Sequence, residues 1–523
     1  MKWGELMRNF IEKIKKTFTD NIVITSLVCF AFGLIYIAYI HSNISIENGF
    51  QSLSYDIFYW VISIILLLIL MCAIIFILRK KEIKQHLLFI GLATIFGIAY
   101  LIVAPIQNGS DEVAHFYRVF EVATGQFVTQ TNDEGKFIQK DLPISMIDIT
   151  NSENADASIK IHDLPQKAQI ELNKENKIDK NANTATSVYS PIVYIPQAIG
   201  MYIGMQLNLN PLIVANFARI FGFIAWMLIC SFAIKIMPDK KEFFVILMLL
   251  PSSITSAITL SADTILNAFS FLLIAKVFQL SVRQEKINIK DYIILIVSSI
   301  IIGQCKMAYL PLIFICLLIP MDKYKNKKRY FIDNAIIIIS ALLGTEIWNK
   351  IAASTHYGTG LGEQHIWILT HPINYIIVMF RTAVEYFSHI FFGVAAGNSL
   401  YQARVQISVA ISFGLMLCLG ISLFIKQSKT EINTWRKFII VGVMGAISLL
   451  VVTAMYISAT TIVTGQVGTR IIEGLQGRYF IPVIAMCIML FKKKVIDIEE
   501  KYLYVVTIML QFSVILHTLL TFI

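Results

Sequence analysis

Asp111, Glu112, His115 and Arg118 fall within eight positions of the stretch NGSDEVAHFYRVFEVATGQF, Asn108 to Phe127. Carboxylates of this kind can take a proton from an attacking hydroxyl, and fixed cations can stabilise a negatively charged leaving group. The spacing predicts a helix. Ser110 can cap it, Asp111 and Glu112 form its first turn, and Gly125 can end it. Val113, Phe116, Phe120 and Ala123 then share an apolar face, while Asp111, His115, Arg118 and Val122 share the opposite one. Acids at a helix start also simply suit the helix dipole. One acid would serve that purpose, however, and here a histidine and an arginine join two of them.

Three further stretches place charge beside apolar runs. In LPSSITSAITLSADTILNAF, Leu250 to Phe269, Asp263 sits where one run ends and the next begins. It is either a helix-start residue or a second carboxylate facing the first. In GQCKMAYLP, Lys306 occupies a tight turn between apolar runs, where it either snorkels or binds something. In GTRIIEGLQGRYFIP, Gly468 to Pro482, Arg470 and Arg478 accompany Tyr479, and two glycines flank Gln476. Arginines there suit a phosphate or a lipid headgroup, or they pair locally with Glu473.

The elements that must position these residues are membrane helices. Of 523 residues, 56% are hydrophobic and 15% charged, against about 25% charged in soluble domains. Apolar runs of 18 or more residues recur, long enough to cross a hydrocarbon core of about 30 Å. The expected fold is therefore all-α and polytopic, with about thirteen spans. Lys2, Arg8, Lys13, Lys15 and Lys16 place the N-terminus in the cytoplasm by the positive-inside rule. Residues 1–104 supply that segment and the first three spans, 105–210 form a large external loop, and 211–523 hold the remaining bundle. All four chemical stretches then face outward, and the C-terminus is outside. Tyr189 to Leu207 breaks the alternation of sides unless it lies in the interface, and Ile373 to Val394 does the same. The loop between Leu142 and Ser190 should cover an external cavity open sideways to lipid. The seven cysteines stand singly, so neither a zinc site nor a disulfide framework is expected. The net charge of +10 resides largely in short loops that set topology, and no nucleic-acid partner is implied. No P-loop and no glycine-rich strand–helix turn occurs, so cytosolic nucleotide chemistry has no obvious home.

The stretches NGSDEVAHFYRVFEVATGQF, VYSPIVYIPQAIG, ITLSADTILNAF, KMAYLPLIFICLLIP and GLQGRYFIP, in this order, resemble a bacterial multi-pass family catalogued as a domain of unknown function (2142). That family looks like a branch of the GT-C glycosyltransferases, and the likeness covers Leu87 to Pro482. The resemblance implies an acidic motif in the first external loop, two juxtamembrane helices there, and a polyprenyl-phosphate-linked sugar as donor. Asp111-Glu112 matches the acidic motif, with His115 in the expected place, and the juxtamembrane helices would be Asp111 to Thr124 and Pro191 to Leu207. One departure is that two spans precede the one leading into the acidic loop. The implied reaction is sugar transfer to a cell-surface glycan or wall polymer on the external face of the bacterial cytoplasmic membrane. Asp111 is the first choice of base and Glu112 the second. His115, Arg118, Lys306, Arg470, Gln476, Arg478 and Tyr479 would bind donor phosphate or substrate. A divalent cation, magnesium or manganese, would be held by Asp111, Glu112 or Asp263. A carrier of lipid-linked saccharides would instead need ionisable residues deep in several spans. A scaffold of a wall-assembly complex would leave the four stretches apart. Oligomeric state is left open.

Overall fold

A run such as Gln85–Val103, 19 residues without a formal charge, leaves no solution in lipid but a helix, because every backbone group must be paired internally. That rule repeats along the chain. The computed structural model describes residues 9, 12–13, 22–47, 53–80, 82–132, 137–150, 158–181, 184–352, 361–396, 400–401, 404–428 and 433–523. Most of the basic N-terminal segment on which the expected orientation rests lies outside them.

In chain order the helices that build the bundle and flank the loop include α1 (Ile22–Glu47), α2 (Leu53–Arg79), α3 (Gln85–Val103), α4 (Glu112–Ala123), α5 (Ile195–Gln206), α6 (Pro211–Ile236), α7 (Lys241–Leu249), α8 (Pro251–Ile258), α9 (Asp263–Val282), α10 (Ile289–Cys305), α11 (Lys327–Ile351), α12 (Pro372–Glu385), α13 (Phe387–Gly393), α14 (Val409–Ser422), α15 (Thr434–Met455) and α16 (Glu500–Phe522). Among the described residues, eight (α1, α2, α3, α6, α9, α11, α15 and α16) are long and apolar enough to cross a membrane, and up to 10 if the bent pairs α7–α8 and α12–α13 each count as one. This is a polytopic membrane protein with eight to ten such spans on length and composition. That is fewer than the expected count of about thirteen spans, because several apolar runs form helices that are short or broken. Pro251 bends the α7–α8 pair by 61°, since a proline disfavours helical geometry in the residue before it. Met307–Leu318 is wound as a 3₁₀ helix with Pro311 inside. At about 2.0 Å rise per residue its 12 residues reach about 24 Å.

Opposite ends of the bundle differ in chemistry. At one end Lys240 donates to the carbonyls of Leu423 and Phe491, at 2.6 and 2.8 Å. Lys426 pairs there with Glu242 and Glu500, at 3.4 and 3.0 Å. The basic loops between helices gather at this end. The long loop after α3 packs on the other. Asn108 exchanges hydrogen bonds with the backbone of Ile159, and the ring of His162 meets the final carbonyl of Ile523 at 3.1 Å. The loop folds in part as a three-stranded antiparallel sheet, β1 (Gln130–Thr131), β2 (Phe137–Pro143) and β3 (Lys177–Asn181), in the order β1-β2-β3. The all-helical expectation did not include it.

Both loop-flanking helices depart from a simple surface position. α5 has 12 residues, about 18 Å of helix, too short to cross alone. Gly200 and Gly204 let it lie directly on α6. A Cβ at Gly200 would stand 2.4 Å from the Phe217 carbonyl oxygen, and one at Gly204 would stand 3.1 Å from Val214 Cα. α4 was expected to be amphipathic, with one polar face outward. Instead Glu112, His115, Arg118 and Glu121 are all buried along with its apolar residues. The burial is possible because each polar side chain finds a partner within the protein.

Candidate functional site

Asp111 is the residue before α4 and has φ 59° and ψ 14°. This left-handed conformation is one that aspartate and asparagine tolerate better than most residues. The sequence reading gave the capping place to Ser110; the helix instead starts one residue later, at Glu112, with Asp111 before it. Gly125, at φ +82°, ends the helix as expected. The turn at Asp111 separates two neighbouring carboxylates into different environments. Asp111 remains 62% exposed and lines a cavity of about 330 Å³. Glu112 turns inward.

At the cavity's polar end acids and cations alternate. Arg478 Nη2 lies 3.7 Å from Asp111 Oδ2, and Arg478 Nε lies 3.7 Å from Asp263 Oδ2. Lys306 Nζ donates to Asp263 Oδ1 at 2.6 Å. The Tyr479 ring supports both cations, with Lys306 Nζ 4.9 Å and Arg478 Cζ 5.2 Å from its centroid. Tyr309 anchors this platform by donating to the Tyr479 carbonyl at 2.7 Å. Burial pushes the Lys306 ammonium down, but the Asp263 carboxylate and the surrounding tyrosines more than offset it, so it stays charged. Arg478 Nε is buried and has no hydrogen-bond acceptor. Asp263 Oδ2, at 3.7 Å, is beyond hydrogen-bond distance, so this N–H keeps its donating capacity.

The remaining cavity wall is different. Met307, Trp348, Val451, Ala454 and Met455 line it. They come from the 3₁₀ helix, α11 and α15. The outer faces of α11 and α15 expose Ile339, Leu342, Leu343, Val441 and Leu449, as lipid-facing helices do. A charged end joined to an apolar wall formed by peripheral membrane helices suits a ligand with a polar head and a hydrocarbon tail.

Glu112 belongs to the fold. Arg219 of α6 grips it with two hydrogen bonds of 2.6 Å, from Nε to Oε1 and from Nη2 to Oε2. The backbone amides of Gly109 and Leu260 donate to the same carboxylate, each at 3.0 Å. Arg219 also donates to the carbonyls of Ala104 and Pro105, at 3.1 and 3.2 Å. This cluster fastens α4, α6 and the residues before α9 together, and so fixes where Asp111 and Asp263 stand. With Glu112 engaged, and Asp111 and Asp263 flanking Arg478, the three carboxylates do not form a cage for a divalent cation. Among the described residues no three His, Cys, Asp or Glu side chains are placed so that they could hold a metal ion.

Arg118 is fully buried away from the cavity. It pairs with Glu121 at 2.7 Å and donates to the carbonyls of Phe127 and Tyr189, at 2.7 and 3.1 Å. Its work is to tie the end of α4 to both ends of the loop. Arg470 is exposed, and Gln476 meets Ser110 Oγ at 3.5 Å; neither lines the cavity. The glycines beside Gln476 serve packing and turning. A Cβ on Gly477 would stand 2.3 Å from the Gly393 carbonyl carbon, and Gly474 has φ +74°. Glu473 accepts from Tyr386 at 3.2 Å.

His115 lines the cavity with its Nδ1 2.7 Å from the Tyr194 hydroxyl and its ring 6.0 Å from that of Tyr189. Burial lowers its pKa from 6.5 to about 4, against the pull of Asp111 and Asp263. It is thus a neutral hydrogen-bonding group near pH 7, not a cation for phosphate. The unfolded chain binds a proton below about pH 6.5 that the folded chain refuses until about pH 4. Stability should therefore fall on acidification across that window, by about 2 kcal/mol at pH 5 from this residue. Thermal unfolding at pH 7 and pH 5 measures it: the acid-induced drop should shrink in His115→Gln.

The arginine that organises the site, Arg219, was not singled out in the sequence. Its signal was available, since a lone arginine inside the apolar run Pro211–Ile236 must have a buried acidic or carbonyl partner. Tyr189, Tyr194 and Tyr309 were also missed, because tyrosines in apolar runs look like ordinary packing.

The family described as Predicted membrane protein (DUF2142) matches residues 94–487. No curated protein and no solved structure matches the chain. The matched span contains Asp111, Asp263, Lys306 and Arg478, whereas α1, α2 and α16 lie outside it.

Proposed function

The chain belongs to the DUF2142 family of predicted membrane proteins, and from that premise we propose that it is a GT-C-like glycosyltransferase using a polyprenyl-phosphate-linked sugar. The acceptor is a cell-surface glycan or wall polymer, and the reaction takes place on the external face of the bacterial cytoplasmic membrane. One observation carries the reading. Asp111, Asp263, Lys306 and Arg478 come from four stretches far apart in the chain, yet they meet at the polar end of a cavity whose other wall is largely apolar. A scaffold has no need of that convergence.

The residues divide the work. The acceptor oxygen bonds the anomeric carbon as its proton passes to Asp111, the one carboxylate here that is both accessible and free of a short ion pair. The bond from that carbon to the phosphate oxygen breaks, and its electron pair leaves with the lipid phosphate. Arg478 and Lys306 stabilise the charge that develops. Asp263 keeps both cations placed and charged. The Met307, Val451 and Met455 wall receives the first prenyl units. A single displacement inverts the anomeric configuration.

Cells lacking the protein and cells carrying Asp111→Asn should show the same change in outer-surface carbohydrate composition. Arg470→Ala, away from the cavity, should leave it as in the wild type. A change in the deletion strain with none in Asp111→Asn, at equal protein level, would favour a scaffold.

A further inference from the structure

A second cavity of about 430 Å³ lies between α2 and α3, far along α3 from the charged site. α3 begins beside this cavity and ends just before the acidic stretch, so the two occupy opposite ends of the bundle. The groove is apolar along its length, lined by Phe76, Leu88, Gly91, Leu92 and Ile95 among others, and its mouth carries Lys80, Glu82 and Lys84. Both lysines are exposed. Lys80 Nζ sits 5.5 Å from the centroid of the Phe76 ring, which holds the charge at the groove's lip. Lys84, Lys235 and Lys241 all act electrostatically on His86, so the positive charge at this mouth extends across α3 to α6 and α7.

The dimensions match one leaflet. From Lys84 to Ile95 is 11 residues of nearly continuous helix, about 16 Å of axis, close to half of a hydrocarbon core of about 30 Å. Gly91 faces the groove with nothing within 4 Å of where its Cβ would be. The space is therefore open to an occupant and is not already filled by close helix contact. Cations at headgroup depth above an apolar slot one leaflet deep complement an anionic phospholipid.

We propose that this groove seats an anionic phospholipid, one acyl chain lying along α2 and α3 and its phosphate held by Lys80 and Lys84. Most of the groove's residues precede residue 94, so the seat lies almost entirely outside the family-matched part of the chain. It is independent of the proposed reaction.

Delipidated full-length protein titrated with phosphatidylglycerol, and separately with phosphatidylcholine of the same chain length, tests this by native mass spectrometry. Phosphatidylglycerol should be retained about tenfold or more tightly than phosphatidylcholine. Lys80→Glu combined with Lys84→Glu should erase that preference while leaving phosphatidylcholine binding unchanged. Gly91→Phe, whose Cβ would meet nothing within 4 Å and whose ring adds bulk to the groove, should reduce occupancy by both lipids. Equal retention of the two headgroups by the wild type overturns the lysine seat. Undiminished binding in Gly91→Phe overturns the groove as the chain's path.

Discussion

If the proposed transfer takes place, Asp111→Asn should lower it by about 10³-fold, within the 10²- to 10⁴-fold range that positioned acid–base groups contribute, and should leave the fold intact. The substitution is nearly isosteric, and its site is 62% exposed, so little packing is disturbed. Asparagine also accepts the left-handed conformation at φ 59°. Alanine there adds a backbone cost of about 1–2 kcal/mol, so a loss in Asp111→Ala mixes chemistry with strain. The asparagine variant isolates the missing base. Turnover of lipid-linked donor, measured beside the thermal midpoint in the same detergent, separates the two. An unchanged midpoint with lost turnover is expected. Retained turnover would remove Asp111 from the mechanism.

The neighbouring acid gives the opposite outcome. Glu112→Ala leaves Arg219, 1% exposed, with carbonyl partners but no counter-charge. Breaking a buried pair from one side costs about 3–5 kcal/mol, a large part of the stability of many folds. The variant should unfold at markedly lower temperature and accumulate poorly. Gly109→Ala should act in the same direction, because the new methyl would stand 2.5 Å from Thr259 Cγ2 and 2.9 Å from Glu112 Oε2. Replacing both partners, as Glu112→Gln with Arg219→Met, should recover much of the loss, since no charge is then buried alone. If Glu112→Ala melts like the wild type, the cluster around Arg219 does not hold the site together.

This contrast marks the limit of what was legible in the residues. Periodicity and end signals located the helix after Asp111 and the glycine that ends it. Charges at the ends of apolar runs pointed to Asp263, Lys306 and Arg478, which the fold brings together. Periodicity does not say that Asp111 and Glu112 part company, because Asp111 takes a left-handed conformation and Glu112 is held by a residue 107 positions away. Arg118 shows the same limitation. It was expected on one outward face with Asp111 and His115, but it is buried away from the cavity, and beside Glu121 its partners are backbone carbonyls of the loop that no residue pattern displays. The sheet escaped notice because KIDKN, one of its strands, has a single apolar residue, Ile178, and so no alternation to read. Met307–Leu318 is apolar enough for a span, but its tight winding is a local response around Pro311 and not a property of hydropathy.

The most direct measurement is release of polyprenyl phosphate from polyprenyl-phosphate-linked sugars by the purified protein in proteoliposomes with a wall-glycan acceptor. The wild type should release it, Arg478→Ala should do so about 10²- to 10³-fold more slowly, and Asp111→Asn only at background. Equal release by wild type and Asp111→Asn, or binding of these donors with no release by the wild type, would contradict a transferase built on the Asp111–Arg478–Asp263–Lys306 chain.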